Sequence, residues 1–238
     1  DASSFLQGQL SNDISALTRG QACLAAYCTP KGRMLASMVV WKAANEPEPL
    51  YRALVKRDIA PAIVKRLSMF VLRAKVKITL SETAVSGVVM NANLSQSPTH
   101  AAPQDVSPQI DWCERNQPLL QQLPAQTAPY TVVDNELGTF IAAPQENDLP
   151  ARWWFVGHDA QGNVPELNPD YAAVWAAGDI AAGLPWVEAT TQDVFIPQTL
   201  NFDLIGGVSF TKGCYPGQEV VARSHYRTTV KRRMTAGC

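Results

Sequence analysis

The first apolar runs along the chain predict a β-hairpin. Apolar residues dominate at 21–28 and 34–41, and the intervening segment 29–32 contains a proline and a glycine. Because these two residue types mark turns, the pattern is typical of two antiparallel strands joined by a tight connection. A polar, proline-bearing segment at 45–49 follows and is predicted to be the first domain boundary.

Helical spacing replaces this pattern farther along the chain. Asp58 is a good N-cap residue, and one apolar face follows it, formed by Ile59, Ile63, Val64, Leu67 and Val71. A second helix is predicted from 107 to about 123, after a loop at 95–108. A third is predicted over 168–182 and a fourth from near Pro216, since proline is favoured at the first helical position.

Shorter runs predict the remaining strands, at 75–80, 85–90, 130–133, 138–143 and 152–157. The strands form hairpins rather than a regular βαβ alternation. The predicted fold class is therefore α+β, with mainly antiparallel sheets and flanking helices.

Composition excludes several classes of protein. The net charge of -1 over 238 residues argues against a strongly basic nucleic-acid-binding domain. The five cysteines are scattered without a CxxC pair and there are three histidines, so neither a disulfide framework nor a metal site is predicted, and a cytoplasmic location is expected. No apolar run approaches the roughly 20 residues of a membrane helix.

Residues 206–223 have the highest density of candidate chemistry. Cys214 lies near Lys212 and before the predicted helix, and both neighbours favour a thiolate. Gln218 and Glu219 are polar groups that can surround the thiol, and Arg223 is placed to contact Glu219 at i,i+4. A small, buried cysteine in a tight turn is the alternative interpretation, and the residues alone leave both open.

Three other features also have two interpretations. Asn12 and Asp13 fit the cap of a short helix better than a ligand site. Trp175 lies on a helix face with Tyr171, as a core residue or as a ring that stacks on a planar ligand. A basic stretch fits a solvated helix face better than a phosphate-binding surface, and it comprises Lys56, Arg57, Lys65, Arg66, Arg73, Lys75 and Lys77.

Four segments carry a resemblance to a known family. KGCYPGQE at 212–219 resembles the signature of the YgfZ family, and LQGQLSND at 6–13 resembles another of its segments. YCTPKGRM at 27–34 and PQTLNFDLIGGVSF at 197–210 are similar to two more. The family in turn resembles the T-protein, the aminomethyltransferase of the glycine cleavage system.

The resemblance implies T-protein-like folate-binding domains. Residues 1–42 and 166–230 are expected to form a discontinuous folate-binding domain, and 43–165 an inserted α+β domain. Folate is expected in a cleft between them, against Trp175. Both ends look trimmed, so 231–238 is expected to begin a C-terminal β-barrel that is largely absent.

The implied function is that of a tetrahydrofolate-binding accessory protein that maintains iron–sulfur enzymes and, through them, tRNA modification. The expected cofactor is tetrahydrofolate or a one-carbon derivative, and iron–sulfur proteins are the expected partners. A conventional enzyme is not expected; if the protein is one, it is a folate-dependent one-carbon transferase. Cys214 is the expected functional thiol, and the expected ligand-binding residues are Asn12, Asp13, Tyr27, Trp175, Lys212, Tyr215, Gln218, Glu219 and Arg223.

Two alternatives stay open beside this function. The first is an aminomethyltransferase, but the segment 32–38 lacks the carboxylate that the T-protein carries on the strand after the glycine turn. Ala181 also stands where relatives place a pterin-binding Glu, so either a weaker folate affinity or the use of Asp179 as the acceptor is expected. The second alternative is an RNA-binding module that uses the basic stretch at 56–77; bulk charge does not indicate direct tRNA binding.

Overall fold

The computed structural model describes residues 1–44, 49–72, 74–90, 115–146, 150–158, 169–227 and 230–235. The chain divides into two compact units. Unit 1 comprises Asp1–Ser81 with Gly183–Cys238, and unit 2 comprises Glu82–Ala182. These bounds differ from those of the predicted domains, which stay a prediction.

The described helices are α1 Ala2–Gln7, α2 Ala60–Ser68, α3 Gln117–Leu120, α4 Pro169–Ala181 and α5 Gln218–Tyr226. The predicted helix after Asp58 is present as α2, which buries Ile63 and Leu67. Asp58 is not its cap, however. Its carboxylate accepts a hydrogen bond from the Ala189 amide at 2.8 Å, so it holds a distant loop instead.

Unit 1 contains a three-stranded antiparallel sheet in the order β1–β2–β3. The strands are β1 Ala22–Cys28, β2 Met34–Ala44 and β3 Leu50–Leu54. The predicted hairpin is confirmed by the pairing of β1 with β2, and a register irregularity follows Tyr27. Since β3 pairs with β2, the sheet continues beyond the segment at 45–49.

The core of unit 1 is apolar, with fully buried side chains that include Leu10, Ile14, Leu24, Tyr27, Trp41, Ile59 and Phe202. The predicted strand at 75–80 is wrong. Burial does alternate from Lys75 to Ile78, but the segment joins no β-ladder. Alternation alone does not make a strand, because a strand also needs a neighbour whose backbone pairs with it.

Unit 2 contains a four-stranded antiparallel sheet in the order β4–β7–β6–β5. Its strands are β4 Val85–Met90, β5 Val132–Asp134, β6 Gly138–Ala142 and β7 Ala151–Gly157. Its core consists of Val88, Leu120, Leu123, Phe140, Ala142, Ala151, Trp153 and Phe155. α3 lies within the helix predicted at 107–123, of which 107–114 is outside the described residues, as is the loop predicted at 95–108.

Two antiparallel sheets with flanking helices confirm the predicted α+β class. Across the described part of the chain, the helices are too short or too polar to span a membrane.

Candidate functional site around Cys214

A pair of glycines brings the hairpin turn against the segment that contains Cys214. Gly217 is the N-cap of α5 and has φ +82°, a left-handed conformation that favours glycine. A Cβ at this position would meet the Thr29 carbonyl oxygen and lie 2.6 Å from the Cα of Gly32. Gly32 has φ +74° and itself packs against Val220 of α5. The contact between the two segments therefore requires glycine on both sides.

The N-terminal segment is fastened to the same region by two polar side chains. The buried Ser11 hydroxyl accepts a hydrogen bond from the Ala26 amide at 2.7 Å and donates to the Gly207 carbonyl at 2.6 Å. Asn12 Nδ2 donates to the carbonyls of Leu24 and Gly206, both at 2.7 Å. These bonds join residues 6–13 to β1 and to the loop before Cys214, so Asn12 has a structural role in unit 1.

Lys212 is held by the backbone rather than exposed. Its side chain is buried, and the ammonium donates to the carbonyls of Gln7 and Leu10, the latter at 2.6 Å, at the C-terminal end of α1. Burial lowers the pKa of Lys212 to about 8, and the negative charge of Asp13 acts in the opposite direction. A cation near the end of a helix and its free carbonyls is favourable, so Lys212 anchors α1.

Cys214 lies two residues beyond this anchor and is exposed. It lies before α5, as predicted, and precedes the N-cap by three residues. Because the field of a helix decays within its first turn, its effect on the thiol is weak there. The Lys212 charge interacts with Cys214 and with Cys23. The thiolate form predicted for Cys214 stays a prediction.

The two other described cysteines differ from Cys214. Cys28 is buried and Cys23 is partly buried, and burial raises the pKa of each thiol to about 12. Both are therefore protonated at neutral pH. Among the described cysteines, Cys214 alone combines exposure with a neighbouring ammonium group.

The two tyrosines predicted to bind ligand are core residues. Tyr27 and Tyr215 are both buried, and burial raises the pKa of each phenol. The Lys212 ammonium lies 4.9 Å from the centre of the Tyr215 ring, a cation–π contact. Tyr27 interacts with Arg66. Both rings support the frame of unit 1.

The remaining candidates of unit 1 are nearer the surface. Arg223 contacts Glu219 at 2.8 Å, which confirms the predicted i,i+4 pair. Gln218 is partly buried in the first turn of α5. Asp13 accepts hydrogen bonds from the Ser15 hydroxyl and nearby amides, and these bonds lower its pKa. It closes a turn, and the predicted helix is absent there.

Trp175 lies in unit 2, where α4 packs on the sheet. A Cβ on Gly87 of β4 would overlap the Trp175 ring, and the guanidinium of Arg152 lies 4.7 Å from the ring centre. Arg152 also donates to Asp179 at 2.9 Å, with both side chains buried. The partly exposed Trp175 ring fits contact with a planar ligand, whereas the Asp179 carboxylate belongs to an internal ion pair and does not fit a pterin acceptor.

Comparison with known proteins identifies relatives along nearly the whole chain, although no family model matches it. It is 33% identical over 235 residues to an uncharacterized protein of Haemophilus influenzae, covering 98% of this chain and 66% of that protein. It is 30% identical over 241 residues to the tRNA-modifying proteins YgfZ of Edwardsiella ictaluri and Klebsiella pneumoniae, covering 98% of this chain and 65% of each.

The chain is therefore similar to the YgfZ family over nearly its whole length. It spans slightly less than two thirds of the length of these curated relatives.

The four YgfZ-like segments meet within unit 1. Residues 27–34 contact residues 212–219 through the two glycines, and residues 6–13 bond to residues 197–210 and to Lys212. Every predicted site residue except Trp175 lies in unit 1, and Trp175 lies in unit 2. Their role as one site stays a prediction.

The segment of β2 in which the resemblance to the T-protein implies a catalytic carboxylate has none in this chain. Met34 and Ala36 of β2 are fully buried, and the Ser37 hydroxyl accepts a hydrogen bond from the Val187 amide at 2.8 Å. A small polar group is thus satisfied inside the core. This strand segment therefore has no carboxylate that could transfer a proton to or from a substrate.

Sequence reasoning missed Arg152. It is a charged residue within the otherwise apolar strand β7, and that contrast is the signal that could have identified it, because a buried charge needs a partner. The partner, Asp179, lies on α4, 27 residues away in sequence.

Proposed function

We propose that this protein supports tRNA modification through the exposed thiol of Cys214. The name of the YgfZ proteins to which it is similar, tRNA-modifying protein, supports the cellular role. The observation that supports Cys214 as the functional residue is the local structure around it. Hydrogen bonds and glycine contacts join the four motif segments, called the frame below, and Cys214 is exposed at the surface of this frame.

The frame accounts for the position of the thiol. Lys212 is fixed by two carbonyls of the N-terminal segment, and Gly217 is fixed against the hairpin turn, so both sides of Cys214 are restrained. A thiol near an ammonium group favours the thiolate, which is the form that bonds to metals or to other sulfur atoms. Such a site suits a protein that acts on iron–sulfur enzymes, because cysteine thiolates are the usual ligands of their clusters.

Tetrahydrofolate is part of the proposal as a ligand. Trp175 supplies a partly exposed aromatic surface, and the carboxylate expected to grip the pterin is paired with Arg152. The proposal that folate binds therefore rests on contact with the Trp175 ring and assigns no role to the Asp179 carboxylate. Titration of the full-length protein with tetrahydrofolate, followed by tryptophan fluorescence, should show quenching that Trp175→Ala weakens. An unchanged folate affinity in that variant would contradict the assignment.

The thiol is tested by complementation with the full-length protein. Cys214→Ser should fold normally, since changes at exposed positions usually alter stability by less than about 0.5 kcal/mol. We expect it to fail to restore modified nucleosides in tRNA of a deletion strain, measured by mass spectrometry. Cys23→Ser is the matched control and should restore them, because Cys23 is a partly buried, protonated thiol.

Equal restoration by Cys214→Ser and wild type would exclude a chemical role for the thiol. Measuring the activity of an iron–sulfur enzyme in the same strains separates the two levels of the proposal. If tRNA modification is lost while the activity of the iron–sulfur enzyme stays normal, the protein supports tRNA modification by a route that does not involve iron–sulfur enzymes.

A further inference from the structure

Three aromatic rings form an exposed stack at the C-terminal end of α5. The rings of Phe210 and His225 are stacked, with centres 3.8 Å apart and planes 18° apart. Tyr226 meets both rings edge-on, at 5.9 Å from Phe210 and 4.7 Å from His225. Tyr226 is 69% exposed, so the stack lies at the surface rather than in the core.

Positive charge is concentrated in the chain segment that contains and follows His225 and Tyr226. From 220 to 238 the chain has five Arg and Lys residues and no Asp or Glu, although the net charge of the whole chain is -1. Arg223 is paired with Glu219, and Arg233 is paired with Asp203. The other three cations of this segment are exposed, and the structure records no ion pair for them among the described residues: Arg227, Lys231 and Arg232.

The basic segment lies beside the aromatic rings. Arg233 contacts the Asp203 carboxylate with two hydrogen bonds of 2.8 Å. These bonds, and more weakly the charge of His225, lower the pKa of Asp203, which places His225 near the same carboxylate. The Met234 amide donates to the Thr199 carbonyl at 2.8 Å. Residues 233 and 234 are thereby held against residues 199–203, close to His225 of the stack.

We propose that this surface binds an unpaired segment of RNA. It is called the Tyr226 surface and comprises Phe210, His225, Tyr226, Arg227, Lys231 and Arg232. The proposal rests on the proposed role in tRNA modification. Exposed rings bind bases by stacking, and flanking cations neutralise the phosphates between them. An unpaired segment fits better than a duplex, because a duplex hides the faces of its bases.

The apolar patch at the end of α2 has different chemistry and provides the comparison. Met69, Phe70 and Leu72 are exposed there, near the basic stretch that the sequence offered as an RNA site. Phe70 has no recorded ring partner among the described residues. Binding at the two surfaces can be distinguished by one substitution in each.

The test uses full-length protein and a fluorescein-labelled oligoadenylate of about 12 nucleotides, a length within the usual range for single-strand sites. Tyr226→Ala should weaken binding, measured by fluorescence anisotropy, by roughly 5- to 100-fold, whereas Tyr226→Phe should bind as wild type because it keeps the ring. Arg227→Ala should reduce the slope of log affinity against log salt by about 0.7. Phe70→Ala and a duplex of the same length are the controls.

Several results would overturn the proposal: no binding by the wild type, wild-type affinity of Tyr226→Ala, equal affinity for the duplex, or a loss confined to Phe70→Ala. Protection of Tyr226 from hydroxyl radicals in the full-length protein without RNA would also overturn it, because the rest of the protein would then cover this surface. Oligoadenylate binding is measured without reference to modified nucleosides. A failure of the proposed function in the deletion strain is therefore recognised separately.

Discussion

Replacing Gly217 by alanine should break the contact between the start of α5 and the hairpin turn. The left-handed backbone at φ +82° costs a residue with a Cβ about 1–2 kcal/mol. The new Cβ would also overlap the Thr29 carbonyl and lie 2.6 Å from the Cα of Gly32. These are backbone atoms that no rotamer change can move, and overpacking typically costs about 1–3 kcal/mol. Together the two effects predict a loss of about 2–5 kcal/mol in the free energy of unfolding.

Gly206→Ala is the matched control for this prediction. Gly206 has a similar φ of +75°, but a Cβ there would meet no described atom within 4 Å. It should therefore lose only the backbone contribution, about 1–2 kcal/mol. Urea unfolding followed by circular dichroism gives both losses, and labelling of the buried Cys28 thiol, read by mass spectrometry, reports the opening of unit 1 itself. Equal losses in the two variants would refute the argument from the backbone contact.

Three further predictions concern buried ionisable groups. The pKa of Lys212 is lowered to about 8, so folding favours its neutral form. The free energy of unfolding should therefore rise from pH 8 to 9 and fall as pH drops through 8. Lys212→Met should remove this rise in urea titrations. The pKa values of Cys23 and Cys28 are raised to about 12, so stability should be lost as pH rises above about 9, and Cys28→Ala should show a shallower loss between pH 9 and 11 by thermal unfolding. Arg152→Leu should cost about 3–5 kcal/mol in urea unfolding because it leaves Asp179 buried and unpaired, whereas replacing both by leucine should recover much of that loss; an equally unstable double variant would contradict the ion-pair explanation.

The sequence predicted those elements whose signals are local. The hairpin of β1 and β2 follows from two apolar runs around a Pro–Gly turn, and β6 and β7 follow from compact apolar runs. The segment at 75–80 shows the limit of this reasoning. Its alternation predicts extended backbone, but whether a neighbouring strand pairs with it depends on residues far away in the chain. The same limit applies to Asp58, which bonds to a residue 131 positions away instead of capping α2.

The candidate site was predicted as a set of segments, not as a set of contacts. Motif matching selected the stretch around Cys214, and the i,i+4 pair of Glu219 and Arg223 followed from helical spacing. The partners of Lys212 did not, because the two carbonyls that accept its hydrogen bonds are 202 and 205 residues away in sequence. The burial of Tyr215 was missed for the same reason. The exposure of a side chain depends on the packing of several segments, and the residue spacing within one segment does not reveal it.

The contacts also divide the polar residues of the motifs into two groups. A loop without a β-ladder must satisfy its buried backbone groups in another way. Ser11, Asn12 and Lys212 do this here, since each bonds to backbone carbonyls or amides. Their presence in the motifs is therefore explained by folding alone. Within the described part of the chain, no such backbone bond is recorded for the side chains of Cys214 and Gln218, so backbone satisfaction does not explain why these residues occur in the motif.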